Sequence, residues 1–189
     1  MLLWAAVALT VRYRSAEEFV TDYVDNLSRG GLFLAGTCEL DMLHELDVEL
    51  VVEGATHQLR ARPVYLNPAG DRPGVGMEIT YKPAGFAAAM RDHLLRLGKR
   101  REVAVMIGDV PNGDRFAAAG FKLIPLEPPE TLIEALSHAL VPVIALVVRQ
   151  HERDAYAAIA KSGGKLIAVY GVSGATDADD VIHKIDRLL

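Results

Sequence analysis

Residues 24–34 read VDNLSRGGLFL. A polar turn holding Asn26, Ser28, Gly30 and Gly31 runs directly into the apolar Leu32, Phe33 and Leu34. A hairpin turn between two strands needs only two residues, commonly Asn-Gly or Asp-Gly. This stretch places more polar groups at fixed offsets than a turn requires. Asn and Ser side chains either hydrogen-bond the turn itself or reach a ligand edge. The glycines permit positive φ and close approach of the backbone.

On either side of this turn, the first half alternates in the manner of strands. Strands are expected over 5–14, 20–26, 31–36, 46–53, 57–66 and 74–81. In LDVELVVE, Val48, Leu50 and Val52 share one face; in HQLRARPVYL, Leu59, Ala61 and Pro63 do so. EGATH and NPAGDRPG are turn signals between them. Short strands in series with no helix between them predict an antiparallel barrel or sandwich. Then Phe86, Met90, His93, Leu94 and Leu97 recur at helical spacing, with Gly98 as the expected stop.

The second half changes rhythm. Apolar runs REVAVMIGD, FKLIPLE, VPVIALVVR and GKLIAVYGV alternate with helical patterns in NGDRFAAAG, PPETLIEALSHAL, QHERDAYAAIAKSGG and ATDADDVIHKIDRLL. That βαβαβαβα order predicts a small doubly wound parallel sheet covered on both faces. The chain is therefore α+β overall, with domains expected at 1–98 and 102–189. The basic run Arg96, Lys99, Arg100, Arg101 between them reads as a solvated linker, with contact to an acidic partner as the alternative.

Composition narrows the function. The 189 residues are 51% hydrophobic, enough for packed cores, and carry a net charge of −5. An acidic balance argues against a protein that coats nucleic acid. Cys38 is the single cysteine, so an intramolecular disulfide and a multi-cysteine zinc site are both excluded, and a reducing cytoplasm fits. The apolar run at the N-terminus is about nine residues, against the ~20 a spanning helix needs, and reads as a poor signal peptide. The histidines His44, His57, His93, His138, His151 and His183 are scattered, and no P-loop, GxGxxG, GxSxG or HExxH occurs.

Barrel strands, then DNLSRGGLFL, then GVGMEI and a helix, over residues 5–97, resemble the PilZ domain, a bacterial signalling module. The resemblance implies a six-stranded antiparallel β-barrel with a C-terminal helix. It also implies a site for cyclic di-GMP in which Asn26, Ser28 and Gly31 match the family's Asp/Asn-x-Ser-x-x-Gly motif. The family's second motif, an Arg-x-x-x-Arg pair, does not occur before Asn26. Arg12 and Arg14 are two apart and share a strand face. The parallel half looks like a receiver domain of two-component signalling. One acid, Asp109, follows its first strand, and Ser173 matches the Ser/Thr position. The third strand ends in Arg149 instead of a phosphoacceptor Asp, and the fifth strand with its Lys is absent.

These features set the expectation of a non-catalytic, cytoplasmic adaptor that works through protein partners of a signalling or motility pathway. It would lack a cofactor and family-type cyclic di-GMP binding. One competing reading is a cyclic di-GMP receptor in which Arg12, Arg14 and Arg29 replace the missing clamp, with motility, pili or polysaccharide under its control. Another is an enzyme with Asp109, Asn112, Arg149 and Ser173 at the carboxyl ends of the parallel strands.

Overall fold

The computed structural model describes residues 9–36, 40, 42, 44–69, 72–126, 132–148, 155, 162–173 and 177–189. Residues 5–8 of the first expected strand, Cys38, Arg149 and most of the expected helix over 150–164 lie outside them. The chain divides into two compact units, Met1–Arg91 and Asp92–Leu189.

The first unit holds a five-stranded mixed sheet in the order β1-β3-β4-β5-β2. Its strands are β1 (Leu9–Arg12), β2 (Gly31–Ala35), β3 (Leu46–Val52), β4 (Ala55–Asn67) and β5 (Gly74–Tyr81). β1 pairs with β3 in parallel; the other pairings are antiparallel. Glu53 and Gly54, at φ 48° and 80°, close the β3–β4 hairpin in two residues. Positive φ at both central positions matches the right-handed twist of the strands it joins. Val48, Leu50, Val52, Leu59, Ala61, Val75 and Met77 form the buried face, following the alternation in the sequence.

One expectation fails in this unit and another is met only in part. Residues 20–26 are not a strand: α1 spans Ala16–Asp25. Ser15 caps it by accepting from the Glu18 N–H at 3.2 Å, and the Glu18 carboxylate accepts from the Arg14 N–H at 2.7 Å. The described residues accordingly contain five strands in a mixed sheet, where six in an antiparallel barrel were expected.

The helix α2 (Phe86–Arg101) follows β5. It does not stop at Gly98 but runs unbroken through the basic run. A Cβ at Gly98 would meet nothing within 4 Å, so no close approach requires glycine there. Arg100 is no solvated linker residue: it is 1% exposed.

The second unit holds a four-stranded parallel sheet in the order β7-β6-β8-β9, with β6 (Ala104–Ile107), β7 (Lys122–Pro125), β8 (Val143–Val148) and β9 (Leu166–Val172). Its described helices after α2 are α3 (Asp114–Ala118), α4 (Leu132–Ser137) and α5 (Asp177–Leu188). Alternate strand residues feed two cores. Val105, Ile144, Leu146 and Val172 pack with Phe116 of α3 and Val181, Ile182 and Ile185 of α5. Met106, Val143, Ala145 and Leu166 pack with Leu132 and Leu136 of α4 and with Ala155. Both faces of the sheet are thus covered, which is why its strands read as continuous apolar runs. Among the described residues, no helix is long and apolar enough to cross a membrane.

Candidate functional site

The turn over residues 26–31 lies at the C-terminal end of α1. Asn26 terminates the helix, and its carbonyl accepts from the N–H groups of Arg29 and Gly31, both at 2.9 Å. A 3₁₀ turn over Leu27–Arg29 follows, ending at Gly30 in the left-handed region at φ 81°. Gly31 then enters β2 beside β5, where a Cβ would lie 3.3 Å from the Met77 carbonyl oxygen. Leu27 is buried beneath the turn, while Ser28 and Arg29 are exposed.

The motif's polar side chains are spent locally. Asn26 Nδ2 donates to Asp22 Oδ1 at 2.7 Å, and Ser28 Oγ donates to the Val24 carbonyl at 3.3 Å. Asp22 is the hub of the site. It is 1% exposed, and its other oxygen accepts from Tyr13 Oη at 2.5 Å. Burial pushes the Asp22 carboxyl above the ordinary carboxylate range. Donation from Tyr13, Asn26 and the Phe33 N–H, with the charge of Arg72, offsets part of that shift. Burial, followed by the charge of Asp22, pushes the Tyr13 hydroxyl far up, so it remains a donor throughout the working range of pH. One carboxylate thereby ties the β1–α1 junction, the end of α1 and β2 together.

The arginines do not gather around this turn. Arg12 and Arg14 precede α1, whereas Asn26, Ser28 and Arg29 follow it. A helix of ten residues rises about 15 Å between those ends. Tyr13, between the two arginines, is the residue whose side chain reaches back to Asp22. Arg12, Arg14 and Arg29 are all exposed.

At the carboxyl ends of the parallel strands, Asp109 is exposed after β6, and Asn112 sits at φ 56° in the loop that leads to α3. Ser173 follows β9, and both its N–H and its hydroxyl donate to Asp177 Oδ2, at 3.0 and 2.6 Å. Ser173 and Asp177 thus link the end of β9 to the first residue of α5. Arg149 lies outside the described residues. Among the described residues, no group of three or more His, Cys, Asp or Glu side chains could hold a metal ion.

Two polar clusters escaped the sequence reading. One is Asp22 with Tyr13. The other is Arg100, whose guanidinium grips the Asp186 carboxylate at 2.7 and 2.5 Å and donates to the Ala119 carbonyl at 2.8 Å. The same guanidinium lies 5.3 Å from the centre of the Phe121 ring. The S-A-E-E run at Ser15–Glu18 is a capping signal that would have located α1. Nothing local in the sequence joins Arg100 to Asp186. Comparison with known proteins finds no matching family model, no matching curated protein and no matching solved structure.

Proposed function

We propose that this chain is a non-catalytic regulatory adaptor of the PilZ type. A receiver-like parallel unit that lacks a phosphoacceptor would be joined to its sheet domain, and both would act through contacts with protein partners. The observation that carries the reading is the inward use of the Asn-x-Ser-x-x-Gly turn. Asn26 serves Asp22, and Ser28 serves the end of α1, so the motif's side chains hold the fold. The strand order of the second unit supports the other half of the reading. Numbered within the unit it is 2-1-3-4, the opening of the flavodoxin-like doubly wound order.

The competing reading is a cyclic di-GMP receptor with a displaced clamp. Its support is the exposure of Arg12, Arg14 and Arg29, none of which forms an ion pair among the described residues. Calorimetric titration with cyclic di-GMP, with cyclic di-AMP as control, separates the two. The adaptor reading expects flat heats. Saturable micromolar binding, abolished by Ser28→Ala or Arg12→Ala, would overturn it in favour of the receptor.

A further inference from the structure

The pairing registers of β4, β5 and β2 place their residues in rows. On the core side the rows are Pro63–Met77–Leu32 and Leu66–Val75–Leu34. On the opposite side they are Arg62–Glu78–Gly31, then Tyr65–Gly76–Phe33, then Asn67–Gly74–Ala35. The central column of that outer face therefore carries two glycines. An aromatic residue flanks Gly76 on each side, two strand spacings or about 10 Å apart at the backbone.

The rings lean over these glycines. A Cβ on Gly76 would lie 3.3 Å from the Tyr65 ring, and one on Gly74 would lie 2.5 Å from the Phe33 ring. The glycines thus let both rings lie low on the sheet. Arg72, from the β4–β5 connection, stacks on Phe33 at 5.4 Å from the ring centre. It forms no ion pair among the described residues, although its field reaches buried Asp22. Arg29 precedes Gly31 at one end of the face and is likewise exposed.

A bulge adds to this surface. Val64 has no partner on β5, so alternation breaks and Val64, Tyr65 and Leu66 are 53%, 57% and 49% exposed in succession. β3 pairs with β4 only as far as Ala61, so among the described residues this part of β4 has a neighbour on one side only. Pro63 and the bulge oppose addition of another strand at that edge. Docking over the face, through side chains, is the mode that remains.

We infer that this face, built from Phe33, Val64, Tyr65 and Arg72, is a docking surface for an acidic, apolar-rich peptide segment of a partner protein. Apolar and aromatic partner side chains would cover Val64 and the rings of Tyr65 and Phe33. A partner carboxylate would take Arg72 as its counter-charge. The inference rests on the adaptor reading and deepens it, since it names the surface and the chemistry of the partner.

The test is selection of random twelve-residue peptides on the immobilised full chain, followed by fluorescence anisotropy of the enriched peptides. Enriched peptides are expected to combine Asp or Glu with Phe, Leu or other bulky apolar residues, and their binding should weaken at high salt. Tyr65→Ala and Arg72→Glu, both at exposed positions, should each weaken binding by about tenfold or more. Circular dichroism of the two variants checks that they remain folded. Failure to enrich peptides, or enrichment of basic ones, would overturn the inference. So would binding unchanged in both variants, though that result would leave the adaptor reading standing with its surface elsewhere. Displacement of the peptides by micromolar cyclic di-GMP would remove both readings together.

Discussion

Asp22 is a buried carboxylate in an otherwise apolar face of α1, and it carries a pH signature. Its pKa is raised in the folded chain, so folding favours its protonated form. The group therefore contributes stability below its unfolded pKa, and that contribution is lost as pH rises through the folded value. Titrating the Asp22 carboxyl by NMR in wild type and Tyr13→Phe should show a further rise in the variant, because a donor to the ionised form is gone. Chemical denaturation of Tyr13→Phe should show a loss of about 1–3 kcal/mol, the scale of a hydrogen bond to a charged group. An Asp22 pKa that falls or stays put in Tyr13→Phe would refute this account of the site.

Arg100 is the second buried charge. Its bidentate pairing with Asp186, its bond to the Ala119 carbonyl and its stacking on Phe121 satisfy it on several sides. Removing one member strands the other in a dry site, which typically costs about 3–5 kcal/mol. Asp186→Ala should show a loss of that size by denaturant titration, and Arg100→Lys should recover little, since lysine cannot reproduce the fork. Gly74 gives a third residue-scale expectation. A Cβ there would lie 2.2 Å from the Leu34 carbonyl oxygen, and backbone cannot give way as a side chain tip can. Gly74→Ala should therefore destabilise the sheet by about 1–3 kcal/mol or more, an overpacking cost visible as a lowered denaturation midpoint.

Among the elements, the strands were legible because burial on one side imposes period-two alternation. Val48, Leu50 and Val52 on β3, and Leu59, Ala61 and Pro63 on β4, obey it until the bulge at Val64. The parallel strands were legible for the opposite reason: covered on both faces, they do not alternate at all. α1 was misread because its buried face includes Asp22, and a carboxylate breaks the apolar periodicity by which a helix is recognised. Its β-branched Val20, Thr21 and Val24 reinforce the error, since such residues favour strands. The capping signal at Ser15 was the better guide. Ser15→Ala should lower stability by about 0.5–2 kcal/mol, with the loss in helical signal appearing first on heating.

At the scale of the molecule, two units each bury cores of their own. Chains organised in this way commonly unfold outside a single two-state transition. Calorimetry should resolve the contributions: Gly74→Ala is expected to lower the melting of one unit and Asp186→Ala that of the other. A single peak that shifts as a whole in both variants would show that the units melt together. The two-part organisation was readable from the change in hydrophobic rhythm alone. The candidate site was readable only in part, since Asn26, Ser28 and Gly31 sit together at one turn while Arg12 and Arg14 lie at the far end of α1. The partners that organise the buried charges are Tyr13 for Asp22, nine residues away, and Asp186 for Arg100, 86 residues away. Separations of that kind leave no periodic trace.

The unbroken passage of α2 through Gly98 has a consequence for length as well as for packing. Each helical residue turns the chain by about 100° and advances it about 1.5 Å. Leu97 and Arg100 are buried on either side of exposed Gly98 and Lys99, so the angular phase between them is fixed by the count of residues. One alanine inserted after Gly98 would swing the guanidinium about 100° away from its carboxylate, whereas four would return it to within about 40°. Tolerance of insertions here should therefore be periodic, poor for one or two residues and better for four. That pattern would mark residues 97–100 as helix held in register by burial on one side.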